Sequence, residues 1–289
     1  MAKISQSYRT DTPVTTGQLF LLIGISVLLG AFAAMFFTPL TNLAVHDKVY
    51  QGFLSGALVS LFAFGLSPIV LKGFSLAKRE TFYLRFLQPP LTLPRIGKAL
   101  VLMLLMIPTV SLHSLAMTLF PLPEALKPVQ EAVDYQTMLF LNESRPAGII
   151  LAFLYLVVVA PLSEECFFRG GLMGWSIAKT RKTHLWVWVI ALIFALVHFE
   201  WNGLLARFFM GAVLGYTALY GGLPMAVMLH AFNNLFVYLF YKVTGLQDPF
   251  ISSREALTVT NVVFLVFAAA VTLTALFFLL KKLHNSPEP

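Results

Sequence analysis

Apolar runs separated by short polar segments set the rhythm of this chain. Runs at 18–40, 52–70, 97–120, 147 onward, 185–199, 204–220, 224–243 and 259–280 predict eight helices. Crossing about 30 Å of hydrocarbon takes roughly 20 residues of helix. In lipid a helix also satisfies its own backbone donors and acceptors. The expected fold class is all-α, a polytopic membrane helical bundle of about eight transmembrane helices. The first run begins like a signal peptide, with an apolar stretch at 19–30 and the small-residue pattern Ala31-Phe32-Ala33. Because the run continues without a break to Leu40, it reads as a retained span. The third is expected to bend near Pro108. Between runs, Leu126, Val129, Val133 and Phe140 fall near helical spacing, which suits a segment lying flat on the outer interface. Residues 74–93 mix Phe74, Phe82, Phe86 and Leu87 with Arg and Lys, which suits the cytoplasmic headgroup layer.

Charge adds orientation to this outline. Lys72, Lys78, Arg79, Arg85, Arg95 and Lys98 lie between the second and third runs, Lys179, Arg181 and Lys182 between the fourth and fifth, and Lys281 and Lys282 after the eighth. The segment between the third and fourth is acidic on balance, with Glu124, Glu131, Asp134 and Glu143 against Lys127 and Arg145. By the positive-inside rule both termini are cytoplasmic. The net charge of +7 therefore reflects topology and gives no reason to expect nucleic acid as a partner. The partners expected are the lipid bilayer and a peptide or protein at the membrane; nothing sets the oligomeric state. A single cysteine, Cys166, excludes an intramolecular disulfide and a cysteine-based metal cluster. The chain divides into residues 1–146 (a polar tail, three spans and the interfacial segments), 147–243 (spans four to seven) and 244–289 (the last span and a basic tail).

One stretch breaks the apolar pattern where it is costly to do so. Pro161-Leu-Ser-Glu164-Glu165-Cys-Phe-Phe-Arg169-Gly170 closes the run that begins at Gly148. A charge at the centre of a span costs roughly 2.5–3.5 kcal/mol on insertion scales, and such residues usually serve a cavity, a relay or a catalytic site. Glu165 and Arg169 are four apart with the acid first, the better orientation for a helical ion pair. Glu164 is turned about 100° away and remains free to meet another group. A structural charge cluster that glues helices together is the plainer reading of the same residues.

Two later runs supply partners. The fifth ends Phe194-Ala-Leu-Val-His198, and the seventh contains His230-Ala-Phe-Asn-Asn234 with His230 and Asn234 one turn apart. Glu164 lies 17 residues before Arg181 and His198 lies 17 after it (181 − 164 and 198 − 181). A hairpin turning near Arg181 sets both roughly 25 Å from its tip. His230, eight residues past Gly222, is only roughly 12 Å from its own turn. The levels agree only if the fourth and fifth helices project into the cytoplasm, or if Gly170-Gly171 breaks the fourth. A carboxylate, two imidazoles and a carboxamide around a wet cavity suit hydrolysis. Glu164 acts as general base on a water that His198 holds, and His230 and Asn234 donate to the developing oxyanion. Glu165 and Arg169 support them.

Glu164-Glu165-x-x-x-Arg169, Phe194-x-x-x-His198 and His230-x-x-x-Asn234 resemble, in order, the three motifs of the CPBP family of intramembrane proteases. That family includes CAAX prenyl endopeptidases of the Ras-converting type and the bacteriocin-processing and immunity proteins. Pro161 and Phe168-Arg169-Gly170 fit the flanks, and the resemblance covers about 147–238. It implies a glutamate-dependent peptidase needing no metal or other cofactor, with 147–243 as its catalytic core. It also implies a membrane-proximal substrate, lipidated like a CAAX protein or of leader type. The membrane is then a bacterial plasma membrane, or the endoplasmic reticulum in a eukaryote. Three alternatives stand beside it. One is a non-catalytic scaffold or immunity protein; another is a transporter using Glu164 as a proton relay, although no repeat halves are evident. In the third, Glu164, His198 and His230 bind zinc, although no His-Glu-x-x-His helix is present. Cys166 reads as packing, His46, His184 and His284 as interfacial, and His113 as satisfied by Ser111 and Ser114. Glu200 and Asn202 read as solvated, and Asn233 as the reserve for Asn234.

Overall fold

A computed structural model describes residues 16–74, 91–117, 120, 122–245 and 259–285. Among them are nine helices. α1 is Thr16–Ala44, and α2 covers 48–74 with π-helical turns at Leu61–Leu66. α3 is Leu93–Met117 and continues through Pro108. After a 3₁₀ turn at Glu124–Leu126 comes α4, Lys127–Asn142. α5 covers 146–180, α6 is Thr183–Leu196, α7 is Leu204–Gly221, α8 is Leu223–Thr244 and α9 is Val259–Asn285. The chain is an all-α polytopic membrane bundle. Six helical stretches are long and apolar enough to cross a bilayer, whereas α6 and the apolar part of α9 are shorter. The expected cytoplasmic segment at 74–93 lies mostly outside the described residues. The expected outer segment is α4, joined to the bundle by Phe140, which stacks on Phe53 at 4.2 Å.

Lipid-facing and inward surfaces separate cleanly. Phe20, Leu28, Met35, Leu43, Phe264 and Phe267 are exposed on α1 and α9, as expected where the solvent is hydrocarbon. The larger core gathers Leu22, Leu102, Met106, Phe168, Phe194, Leu214 and Leu229 from six helices around α5. A smaller core holds Phe53, Phe140, Leu141, Ala152 and Tyr238. Where α6 crosses α7, a Cβ on Gly211 would stand 3.1 Å from the Ala191 backbone, so only glycine permits this approach.

α5 is one helix of changing pitch, with π-helical turns at Phe153–Val159 and Cys166–Met173. Pro161 accounts for the first, since its ring would collide with the carbonyl four residues earlier. The second contains Gly170-Gly171, poor helix formers that loosen the turn. The glycines do not break the helix. Glu165 and His230 nonetheless meet, so the turns at Arg181 and Gly222, unequally far from them along the chain, lie at different levels.

Candidate active site

The six residues singled out by the motifs form two linked groups. In the inner one, Arg169 Nη1 donates to Glu165 Oε1 at 2.6 Å, the expected pair along one helix face. Arg169 Nη2 donates to the Gly211 carbonyl at 3.0 Å, and its guanidinium lies 4.4 Å from the centre of the Phe194 ring. His230 Nδ1 donates to the same Glu165 Oε1 at 2.9 Å. Residue spacing paired Glu165 with Arg169 and set His230 at the oxyanion beside Glu164. Instead, His230 of α8 shares Glu165 Oε1 with Arg169, and Arg169 itself reaches α7 at the Gly211 carbonyl. In this tautomer His230 Nε2 carries a lone pair, so it donates to an oxyanion only when the ring holds a second proton.

The outer group is Glu164 and His198. His198 Nδ1 donates to the Phe194 carbonyl at 2.6 Å, which leaves Nε2 unprotonated. Nε2 lies 3.8 Å from Glu164 Oε2, to which no protein group donates. Two acceptors facing each other need a hydrogen between them. The pair sets an acid and an imidazole face to face, the arrangement that general-base activation of a water calls for.

Asn234 sits beside these groups on α8. Its Nδ2 donates to the Leu156 carbonyl at 2.9 Å, and its Oδ1 accepts from Asn233 Nδ2 at 3.3 Å. The bond to Leu156 has a cause in the chain. Ala160 N–H already pairs with Tyr155 O, and the next donor in that register would be Pro161, which has none. Asn234 supplies the missing hydrogen and keeps a second one to offer. Among the described residues no three His, Cys, Asp or Glu side chains converge as metal ligands. The Glu164, His198 and His230 set of the zinc alternative is divided by the bond from His230 to Glu165.

Exposure falls steadily into the bundle. The side chains of His198 and Glu164 are 26% and 15% accessible, His230 4%, Arg169 1% and Glu165 0%. The most accessible of these side chains, His198, opens the turn 198–203. There Glu200 pairs with Arg207, whose guanidinium lies over Gly203, where a Cβ would collide with it. Trp201 N–H donates at 2.6 Å to Gln130 of α4, and Gln130 Nε2 to Asp134 at 2.8 Å. Sequence reasoning left Glu200 in solvent and missed Arg207 and Gln130, because the residues of a turn, 197–203 here, do not show which side chains fold back over it. The other candidates lie apart from the site. His113 bonds the Thr109 carbonyl at 2.5 Å and stacks on Phe209, rather than turning to Ser111. His184 is 3.1 Å from Tyr216 Oη. Cys166 packs against the larger core, and His46 and Asn202 are exposed. The Ser114 and His284 side chains are outside the described set.

Fold and site together describe a helical membrane protein with a polar, acid-and-imidazole centre inside it. Residues 146–236, from the start of α5 to most of α8, match the family model described as type II CAAX prenyl endopeptidase, Rce1-like. Over these residues the chain is similar to the CAAX-type intramembrane endopeptidases. No curated protein and no solved structure matches it.

Proposed function

We propose that the protein hydrolyses peptide bonds of membrane-proximal substrates with a water activated by Glu164 and His198. The observation that carries this reading is the pair of facing acceptors, Glu164 Oε2 and His198 Nε2, 3.8 Å apart with no protein donor between them. Glu164 removes a proton as the water attacks the scissile carbonyl, and His198, held by the Phe194 carbonyl, keeps the water in line. The free hydrogen of Asn234 is aimed at the oxyanion. His230 is held beside it by the Glu165 carboxylate, and Arg169 fixes that carboxylate in place. The family match supports a peptide of CAAX type as the first substrate class to try, with a leader peptide as the second.

The test uses purified full-length protein and a fluorogenic membrane-anchored peptide. General-base catalysis typically contributes about 10²–10⁴ in rate, so Glu164→Gln, Glu164→Ala and His198→Ala should each lower kcat by at least about 10²-fold with folding intact. Undiminished turnover in either Glu164 variant removes the assigned base. Chelator treatment should leave the rate unchanged; its loss, with recovery on adding zinc, would favour the metal alternative. If Glu164→Gln retains the biological effect in cells, the protein acts as a scaffold instead.

A further inference from the structure

His198 stands just past the end of its helix, where no regular element holds it. α6 ends at Leu196. Beyond it the His198 N–H reaches the Ala195 carbonyl at 3.4 Å, and the Phe199 N–H reaches that of Leu196 at 3.1 Å. The next residue turns the chain sharply. Phe199 has φ +53°, in the left-handed region where a bulky side chain is an outlier. Its side chain is 69% exposed, so packing does little to offset that conformation. Glycine and asparagine adopt it readily. A phenylalanine kept there, directly after the imidazole that faces Glu164, has to be held by its surroundings.

Two fastenings lie on the two residues that follow. Glu200 pairs with Arg207 of α7, and Gly203 leaves room for the guanidinium that a Cβ would strike. The Trp201 N–H donates to Gln130 Oε1 of α4 at 2.6 Å. Gln130 is buried, and its Nε2 is committed to Asp134 at 2.8 Å, which turns the oxygen end of the amide toward Trp201. α7 and α4 therefore hold the chain on one side of the left-handed residue. On the other side the Phe194 carbonyl holds the imidazole itself, at 2.6 Å. We propose that Arg207, Glu200 and Gln130 are positioning residues for His198: they keep Phe199 left-handed, so that His198 Nε2 stays aimed at Glu164 Oε2, 3.8 Å away. Without them Phe199 relaxes to negative φ and the ring loses its alignment with the carboxylate. The proposal rests on the peptidase reading for its effect on turnover, and on geometry alone for its effect on the imidazole.

Phe199 itself gives the first test, because an exposed side chain can be exchanged with the fold intact. In the purified full chain with the membrane-anchored peptide, Phe199→Asn should keep kcat close to native. Phe199→Val, whose branched side chain disfavours positive φ, should lower kcat about tenfold or more, since a misplacement of about 1 Å can cost about 10² in rate. KM should stay within about twofold, as for a loss felt only in the transition state. Equal kcat in the two variants, whether kept or lost, overturns the proposal. Arg207→Gln and Gln130→Leu should each lower kcat in the same way, and adding Phe199→Asn to either should recover much of the loss. A rise in KM with kcat unchanged would overturn the proposal by placing Arg207 in substrate binding, and absence of recovery would overturn it by making the fastenings purely structural.

A second arm needs no turnover. Diethyl pyrocarbonate acylates unprotonated imidazoles, and mass spectrometry reads its rate at His198, with the exposed His184 as internal control. Phe199→Val, Arg207→Gln and Gln130→Leu should each modify several-fold faster at His198 and unchanged at His184, with Phe199→Asn at the native rate. Rates at His198 that do not move overturn the proposal. The expected rates in a native chain that cuts no peptide would count against the peptidase reading and leave the positioning of His198 standing.

Discussion

Asn234 shows how a residue named for chemistry can also hold a helix together. Its bond to the Leu156 carbonyl compensates for the hydrogen that Pro161 lacks. A buried acceptor left unpaired costs about 1–3 kcal/mol, so Asn234→Leu should lower stability by that much. Pro161→Ala offers Leu156 a donor within its own helix. The double variant Pro161→Ala, Asn234→Leu should then lose less than the sum of the single losses, measured by thermal melting in detergent. Strict additivity would show that the two residues do not share this carbonyl. The Glu165–Arg169 pair is less forgiving. Removing one member of a buried pair typically costs about 3–5 kcal/mol, because the other is left charged in the interior. At this scale the motif residues were legible in the chain, whereas their partners were not. Spacing of four places Glu165 and Arg169 on one face, and that pair is present. Spacing says nothing of which carboxylate a histidine on another helix will meet, and His230 went to Glu165. The Pro161 and Asn234 link requires knowing that the turns before Pro161 widen, and no apolar pattern records a widened turn.

Helices were legible to within a few residues because lipid leaves the backbone so few choices. α6, α7 and α8 begin and end close to the apolar runs that announced them. Less legible was how α4 is tied down, since its fastening is polar and draws on three distant segments. Asp47 caps α2 by accepting from Val49 and Tyr50 N–H. Its other oxygen meets Arg145 Nη1 at 2.5 Å, while Arg145 Nε reaches Glu143 at 2.9 Å and the guanidinium lies 4.4 Å from the Tyr50 ring centre. Tyr241 of α8 donates to Asn142 at 2.7 Å. Arg145 lowers the Asp47 pKa from 3.8 to about 2 and that of Glu143 from 4.5 to about 2, and its own is raised in return. Both carboxylates are depressed in the folded state, so their contribution is fully present above about pH 4.5 and is lost as pH falls toward 2. Melting temperature should decline over that window in the native protein. In Arg145→Leu it should start lower and decline less. An unchanged acid slope in that variant would assign the loss to other groups.

At the level of the whole molecule, the order of the helices could be taken from the chain, while of the eight spans expected six are long and apolar enough to cross a bilayer. How the spans pack could not, because Gly211 and Ala191 give no hint in sequence that they touch. The molecule has a basic end near Arg95 and Arg181, an opposite end with ion pairs at Arg145 and Arg207, and a polar column between helices reaching inward from the second. Burial makes that column rigid at its base, where Arg169 is enclosed, and accessible at its top, where His198 is not.

The dependence of Leu156 on Asn234 has a bearing on how the protein is made. α5 leaves the ribosome well ahead of α8, and until α8 arrives one of its carbonyls faces hydrocarbon unanswered, at a cost of several kcal/mol. A nascent chain stopped after Gly222 should therefore be cleared quickly by membrane quality control, and Pro161→Ala should lengthen its half-life in a pulse-chase. Equal half-lives would mean that other groups answer the carbonyl in the interim. A proline placed near Glu164 in this way ties the lifetime of the unfinished chain to the arrival of α8.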